Sequence, residues 1–266
     1  MIELSLAEVK RLELDVLRDV ASFCERNGLR YFLAYGTLLG AVRHRGFIPW
    51  DDDVDICMPR SDYETFLSTY APVKNSFCRL ISSVRDRHYG LTFAKVYDCR
   101  TVVREELYRK DGAGGYGVYV DVFPFDGIAG RRQWLVGHLL QKALNVKNAT
   151  FGTGRSPLKS IAMRLAKVVL FPFSKAFLVR LSDRNATKIP FDDGEQVGFL
   201  SDTRSFMVSY PKPDFDSSSG LSFEGHVFRA PGNYDDVLRR DYGNYMTPPP
   251  PEKRTSTHLS TAYWRE

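Results

Sequence analysis

Residues 35–58 read YGTLLGAVRHRGFIPWDDDVDICM, and this stretch decides the fold class. Val54, Ile56 and Met58 alternate with Asp53, Asp55 and Cys57. That is the period of a strand, with one apolar face for a core and one face bearing two neighbouring carboxylates. Carboxylates so close repel each other unless a cation sits between them. Mg²⁺ (or Mn²⁺) suits the pair, because it takes hard oxygen ligands and keeps positions open for water and phosphate. Asp51 shares the parity of Asp53 and Asp55, so an Asp51/Asp53 pair is the alternative register. A solvated acidic turn is the other alternative, and the apolar partner face argues against it.

Upstream, residues 31–34 form a short apolar run, Gly36-Thr37 follows, and Leu38, Leu39 and Val42 keep helical spacing. A strand, a Gly-Thr turn and a helix together offer backbone N–H groups and a helix N-terminus to an anion. Gly36 and Thr37 are therefore candidate holders of donor phosphate, with Thr37 as a plain helix cap the alternative. Arg43 and His44, with Arg45, lie between this helix and the acidic strand, where they could neutralise donor phosphates. Downstream, Val118, Val120 and Val122 alternate with Tyr119, Asp121 and Phe123. A lone Asp is disfavoured in such a β-branched run, so Asp121 is the candidate third carboxylate of a metal site. Asp126 reads as a structural turn residue.

Four blocks together resemble the LicD family, which includes the fukutin-type proteins. They are GTLLGAVRHRGFIPWDDDVDI at 36–56, FAKVYD at 93–98, GVYVDVFPFDG at 117–127 and PGNYDDVLRRDYGNYMTPPPPEKR at 231–254. They follow the family's order and cover most of the chain. The resemblance implies a nucleotidyltransferase-like fold, in which a Gly-Thr turn precedes an Asp-x-Asp strand and a third Asp sits on a neighbouring strand. It implies catalysis by Asp53, Asp55 and Asp121 as metal ligands, with Lys95 and Arg254 joining Gly36, Thr37, Arg43 and His44 on the donor. It also implies transfer of a phospho-alcohol from a CDP-alcohol donor to a glycan or lipid-linked glycan acceptor, with release of CMP. Relatives often carry a His pair shortly after Glu-Lys-Arg, whereas this chain has only His258 there. Three rivals stay open: a conventional nucleotidyltransferase, a metal-dependent glycosyltransferase and a non-catalytic binding protein.

The rest of the chain fits one α/β (α+β) domain over 1–266, a mixed sheet flanked by helices, with a helical basic insert at 131–190. Apolar residues make up 43% of the 266, enough for a substantial core. Leu6, Val9, Leu12, Val16, Val20 and Phe23 predict a helix over 5–27, and one long helix is expected over 157–182. Strands are expected near 77–82, 91–97, 101–105, 196–200 and 226–230. The four cysteines are widely spaced without a Cys-x-x-Cys pair, which points to a reducing compartment. The N-terminal segment reads as a charged amphipathic helix rather than a signal peptide, and no apolar run is long enough to span a bilayer. A cytoplasmic protein is the expectation.

Charge is unevenly spread. Residues 131–180 hold ten Lys or Arg and no Asp or Glu, against a whole-chain balance of +5. Such a segment suits peripheral contact with an anionic inner membrane face. A core-packed helical pair with a solvated basic face is the equal alternative. Nucleic acid is set aside, since no recognisable module accompanies the patch.

Overall fold

The computed structural model describes residues 2–72, 74, 76–86, 88–105, 115–149, 157–201, 208–254 and 260–265. His258 and most of the glycine-rich 111–115 segment fall outside them.

Helix α1 (Leu6–Arg26) begins at a capping box. The Ser5 side chain accepts from the Glu8 N–H, and the Glu8 carboxylate accepts from the Ser5 N–H at 2.9 Å. Strand β1 (Phe32–Leu33) leads into α2 (Tyr35–His44), then β2 (Asp55–Pro59) and α3 (Arg60–Thr69). Strands β3 (Cys78–Ile81), β4 (Ala94–Asp98), β5 (Thr101–Glu105) and β6 (Tyr119–Gly127) follow. The helical segment is α4 (Arg131–Asn148), α5 (Pro157–Val169) and α6 (Lys175–Ala186). Beyond it come β7 (Gln196–Gly198), β8 (Tyr210–Pro211), the hairpin β9 (Ser218–Phe223) and β10 (His226–Pro231), α7 (Tyr234–Tyr242) and β11 (Ser260–Trp264).

The architecture is mixed α/β. The main sheet runs β1-β2-β6-β4-β3, with β7 and β8 continuing from the far end of β6. Only β2 and β6 are parallel in that path. A parallel neighbour demands a long crossover, and α3, β3, β4 and β5 lie within it. One large core joins α1, α2, α3 and the sheet, centred on Val20, Leu38, Ile56, Phe66, Val96 and Val122. The helical segment has small clusters of its own, Trp134 with Ala186 and Leu200, and Leu144 with Leu178 and Val179.

Three details differ from the expectation. Asp53 lies in the loop before β2, because the ladder starts where the Ala34 N–H donates to the Asp55 carbonyl and the Asp121 N–H to the Val54 carbonyl. The 157–182 helix is two helices. Pro172 cannot continue a helix, and Ser174 starts α6 by accepting from the Phe177 N–H at 3.1 Å. Asp126 is not in a turn but inside β6, 1% exposed and ion-paired with Arg60. Its structural reading stands.

Candidate active site

The register of the sheet sets three charged side chains in a row. Asp55 on β2 is the direct partner of Asp121 on β6, and Asp121 is the direct partner of Lys95 on β4. Neighbouring strands lie about 4.8 Å apart, so the residues stand abreast. Asp55 is 4% exposed and Lys95 3%. Lys95 Nζ donates to Asp121 Oδ1 at 2.6 Å and sits 3.3 Å from the centroid of the Tyr119 ring. The rings of Tyr116 and Phe93 lie at 5.3 and 5.4 Å. A buried ammonium is tolerated here because a carboxylate and aromatic faces replace its water.

Thr37 and Gly36 both lie in the first turn of α2, so neither is its N-cap; that place is taken by Ala34, whose side chain has nothing to offer. The Thr37 hydroxyl accepts the Asp55 N–H at 2.8 Å and is itself buried. The helix start is thereby fastened to the acidic strand. Gly36 leaves room for its neighbour: a Cβ there would lie 2.7 Å from Asp51 Oδ2. A carboxylate thus sits beside the positive end of the α2 dipole, in the position an anionic ligand would favour. Tyr35, the first residue of α2, adopts φ 47°, a left-handed conformation that costs a bulky side chain roughly 1–3 kcal/mol. Its ring packs edge-on against Phe123 at 5.4 Å between centroids, which helps to hold the turn.

The cationic loop is anchored rather than free-floating. Arg43 donates to the Tyr245 carbonyl at 2.8 Å and to His44 Nε2 at 2.9 Å. Burial, reinforced by the Arg43 charge, pushes the His44 imidazole below its ordinary pKa. The Glu224-Gly225 turn between β9 and β10 clamps the loop from below. The Glu224 N–H donates to the Arg45 carbonyl at 2.9 Å, and Glu224 Oε1 accepts from the Phe47 N–H at 3.0 Å. Trp50 gathers the far side: its ring lies 6.3 Å from His44 and 5.4 Å from the Arg254 guanidinium. Arg254, distant in sequence, is thus brought to the acidic loop.

The donor chemistry of this site fits a divalent cation. Asp55 and Asp121 supply hard oxygens from register-paired strands, and Asp53 stands two residues before Asp55 in the adjoining loop. Lys95 brings one positive charge to the row that holds Asp55 and Asp121, so the row keeps a net negative charge. Among the described residues, no three metal-binding side chains are already gathered into a ligand cluster.

One acid escaped the sequence reading. Glu13 lies on the buried stripe of α1, between Leu12 and Val16, and is 3% exposed. Burial, with repulsion from Asp53, Asp52 and Asp51, holds its carboxyl well above the usual carboxylate range. The signal was present in the pattern: position 13 falls three before Val16 and four after Val9, on the apolar face.

Comparison with known proteins places the chain among relatives. The profile of the LicD/FKTN/FKRP nucleotidyltransferase domain matches residues 28–151, a span that contains β1, α2, β2 and β6. The lipopolysaccharide cholinephosphotransferase LicD of Haemophilus influenzae is 30% identical over 270 aligned positions, covering 99% of both chains. The human ribitol 5-phosphate transferase FKRP is 50% identical over 42 residues, 16% of this chain and 8% of its own. An uncharacterised Rickettsia typhi protein is 43% identical over 58 residues, 21% of this chain and 19% of its own. With a relative 30% identical from end to end and the family's domain profile matched, the chain belongs to the LicD family.

Proposed function

We propose that this protein transfers a phospho-alcohol from a CDP-linked donor to a sugar hydroxyl of a surface glycan, releasing CMP. The observation that carries the reading is the parallel register of β2 and β6, which puts Asp55 abreast of Asp121 beside the anion-favouring start of α2. The likeness along the whole chain to a lipopolysaccharide cholinephosphotransferase selects the class of transfer. Asp53, Asp55 and Asp121 would hold Mg²⁺ or Mn²⁺, which when bound neutralises charge on the transferred phosphate. Gly36 and Thr37 hold donor phosphate through the backbone of α2, and Arg43, His44, Lys95 and Arg254 surround it with positive charge. The acceptor oxygen bonds to the phosphorus bearing the alcohol. The bond from that phosphorus to the bridging oxygen breaks, CMP takes the electron pair, and the hydroxyl proton passes to a carboxylate of the acidic cluster.

The deciding measurement is product analysis with a panel of CDP-alcohols, CTP and phospho-alcohols in Mg²⁺. The expected product is CMP, dependent on a glycan acceptor. Pyrophosphate from CTP and a phospho-alcohol, without CMP, would instead assign conventional nucleotidyl transfer.

The helical segment supplies a membrane-facing surface in this reading. Val168 and Val169 are each 71% exposed, and Phe171 is 80% exposed. Beside them a cavity of about 640 Å³ is lined by Lys147, Lys167, Lys175 and Arg180 with His88. Apolar side chains standing among cations suit an anionic lipid surface. No helix among the described residues is long and apolar enough to cross a membrane, so the contact would be peripheral. In flotation assays the protein is expected to bind phosphatidylglycerol vesicles and not phosphatidylcholine vesicles. Phe171→Ser with Val168→Ser should reduce that binding about tenfold or more at unchanged net charge. Binding that survives this change but disappears in high salt would assign the surface to charge alone.

A further inference from the structure

A second cavity, of about 180 Å³, opens between α1, the β5–β11 strand pair and the start of β6. Its chemistry is unusual. Three carboxylates line it, Glu3, Glu13 and Asp52, and no Lys, Arg or His does. The remaining wall is largely hydrocarbon, from residues such as Leu4, Val9 and Val118, together with the ring of Tyr119.

Glu13 is the telling residue. It is 3% exposed, and its Oε2 has no hydrogen-bond partner among the described residues. A carboxylate oxygen taken from water without a partner is costly, and native proteins keep such groups where a ligand completes them. Lys10 is the cation that acts most on Glu13 among the described residues, and its Nζ is turned to the Ile48 and Pro49 carbonyls at 3.2 and 3.3 Å.

Its position ties it to the reaction. Asp52 adjoins Asp53, and Tyr119 shares a face of β6 with Asp121, about 7 Å along the strand. A ligand can lie with one end in the cavity and its phosphate at the acidic row. The hydrocarbon patches from Leu4, Val9 and Val118 among the carboxylates offer nothing to a hydrated divalent ion, which keeps several of its waters. They suit the methyl groups of an alkylammonium, with the carboxylates and the Tyr119 ring answering its charge. The volume is roughly that of six water molecules in the liquid, room for a trimethylammonium head.

We propose that this cavity is the subsite for the cationic end of the donor's alcohol, an alkylammonium of the choline class, with Glu13 as the buried acid that ionises against it. The proposal rests on the phospho-alcohol reading for its connection to the reaction. Its test is independent of turnover. Titration calorimetry on the full chain would compare choline, tetramethylammonium and ribitol with 3,3-dimethylbutan-1-ol, the uncharged isostere of choline. Choline is expected to bind about tenfold or more tightly than the isostere. Glu13→Gln should abolish that preference while the thermal transition confirms folding. Ala262→Leu, which fills the cavity from β11, should weaken choline without touching the acidic row.

Equal binding of choline and its isostere would overturn the proposal. So would a saturable Mg²⁺ response, lost in Glu13→Gln, with none to choline. Choline binding without CMP release would keep the subsite and sink the transfer reading. Phosphoribitol transfer without choline binding would do the reverse.

Discussion

Asp55→Asn is expected to leave the protein folded and to lower the rate of transfer by roughly a thousandfold. Asn keeps the shape of the side chain, and the bond from the Asp55 N–H to Thr37 is made by the backbone, so α2 stays fastened to β2. Removing one negative charge from a row that already holds Asp121 also relieves repulsion, so the melting temperature should hold or rise. Asp121→Asn is expected to differ in kind. It removes the carboxylate to which the buried Lys95 ammonium donates and leaves that charge against aromatic rings. Breaking a buried pair from one side costs about 3–5 kcal/mol, so this variant should lose both activity and stability. CMP release at varied Mg²⁺, beside thermal unfolding of both variants, separates the two. Asp55→Asn with activity within tenfold of the parent would remove Asp55 from the site.

The second large effect is on stability alone. Arg60, at the start of α3, grips Asp126 near the end of β6 through two bonds of 2.8 and 2.7 Å. Arg60 has 12% of its side chain exposed and Asp126 only 1%. A third contact at 3.6 Å reaches Asp183 on α6, so one guanidinium joins sheet, helix and helical segment. Asp126→Ala should cost about 3–5 kcal/mol in urea unfolding, because the guanidinium stays behind with a single distant partner. The apolar double variant Arg60→Met with Asp126→Leu should recover most of that loss, since it removes both desolvation penalties together. A loss below about 1 kcal/mol in the single variant would place the pair with ordinary surface ion pairs.

Much of this was legible in the chain, for reasons that differ by residue. The strand–turn–helix at 31–44 and the Asp121 strand could be read because period and chemistry agree there, and both formed as expected. Helix α1 carried its own start signal in Ser5 and Glu8. The break between α5 and α6 was written in Pro172 and Ser174, but the apolar spacing on either side masked it. Helix α7 was missed because Asp235, Asp236, Arg239 and Arg240 give it a mostly polar surface, and only Val237 and Leu238 are buried. Pairings between distant strands leave no local trace. Nothing near Lys95 announces Asp121, and nothing near Arg254 announces Trp50. Glu13 was hidden by the opposite effect, an acid standing where the helical period calls for a hydrocarbon.

The earliest and latest described residues are bound to each other. The Leu4 N–H donates to the Ala262 carbonyl at 2.8 Å, the Trp264 N–H donates to the Ile2 carbonyl at 2.9 Å, and β11 pairs along the whole of β5. During synthesis, which runs from the N-terminus, β5 must wait for a partner that emerges about 155 residues later. The segment around Ile2 waits longer still. Such closure gives the chain a high contact order at its seam and makes the seam a late event in folding. The acidic row needs only residues up to β6 and can assemble on a nascent chain. The cavity beside it, walled in part by Thr261 and Ala262, is completed only once the last strand has left the ribosome.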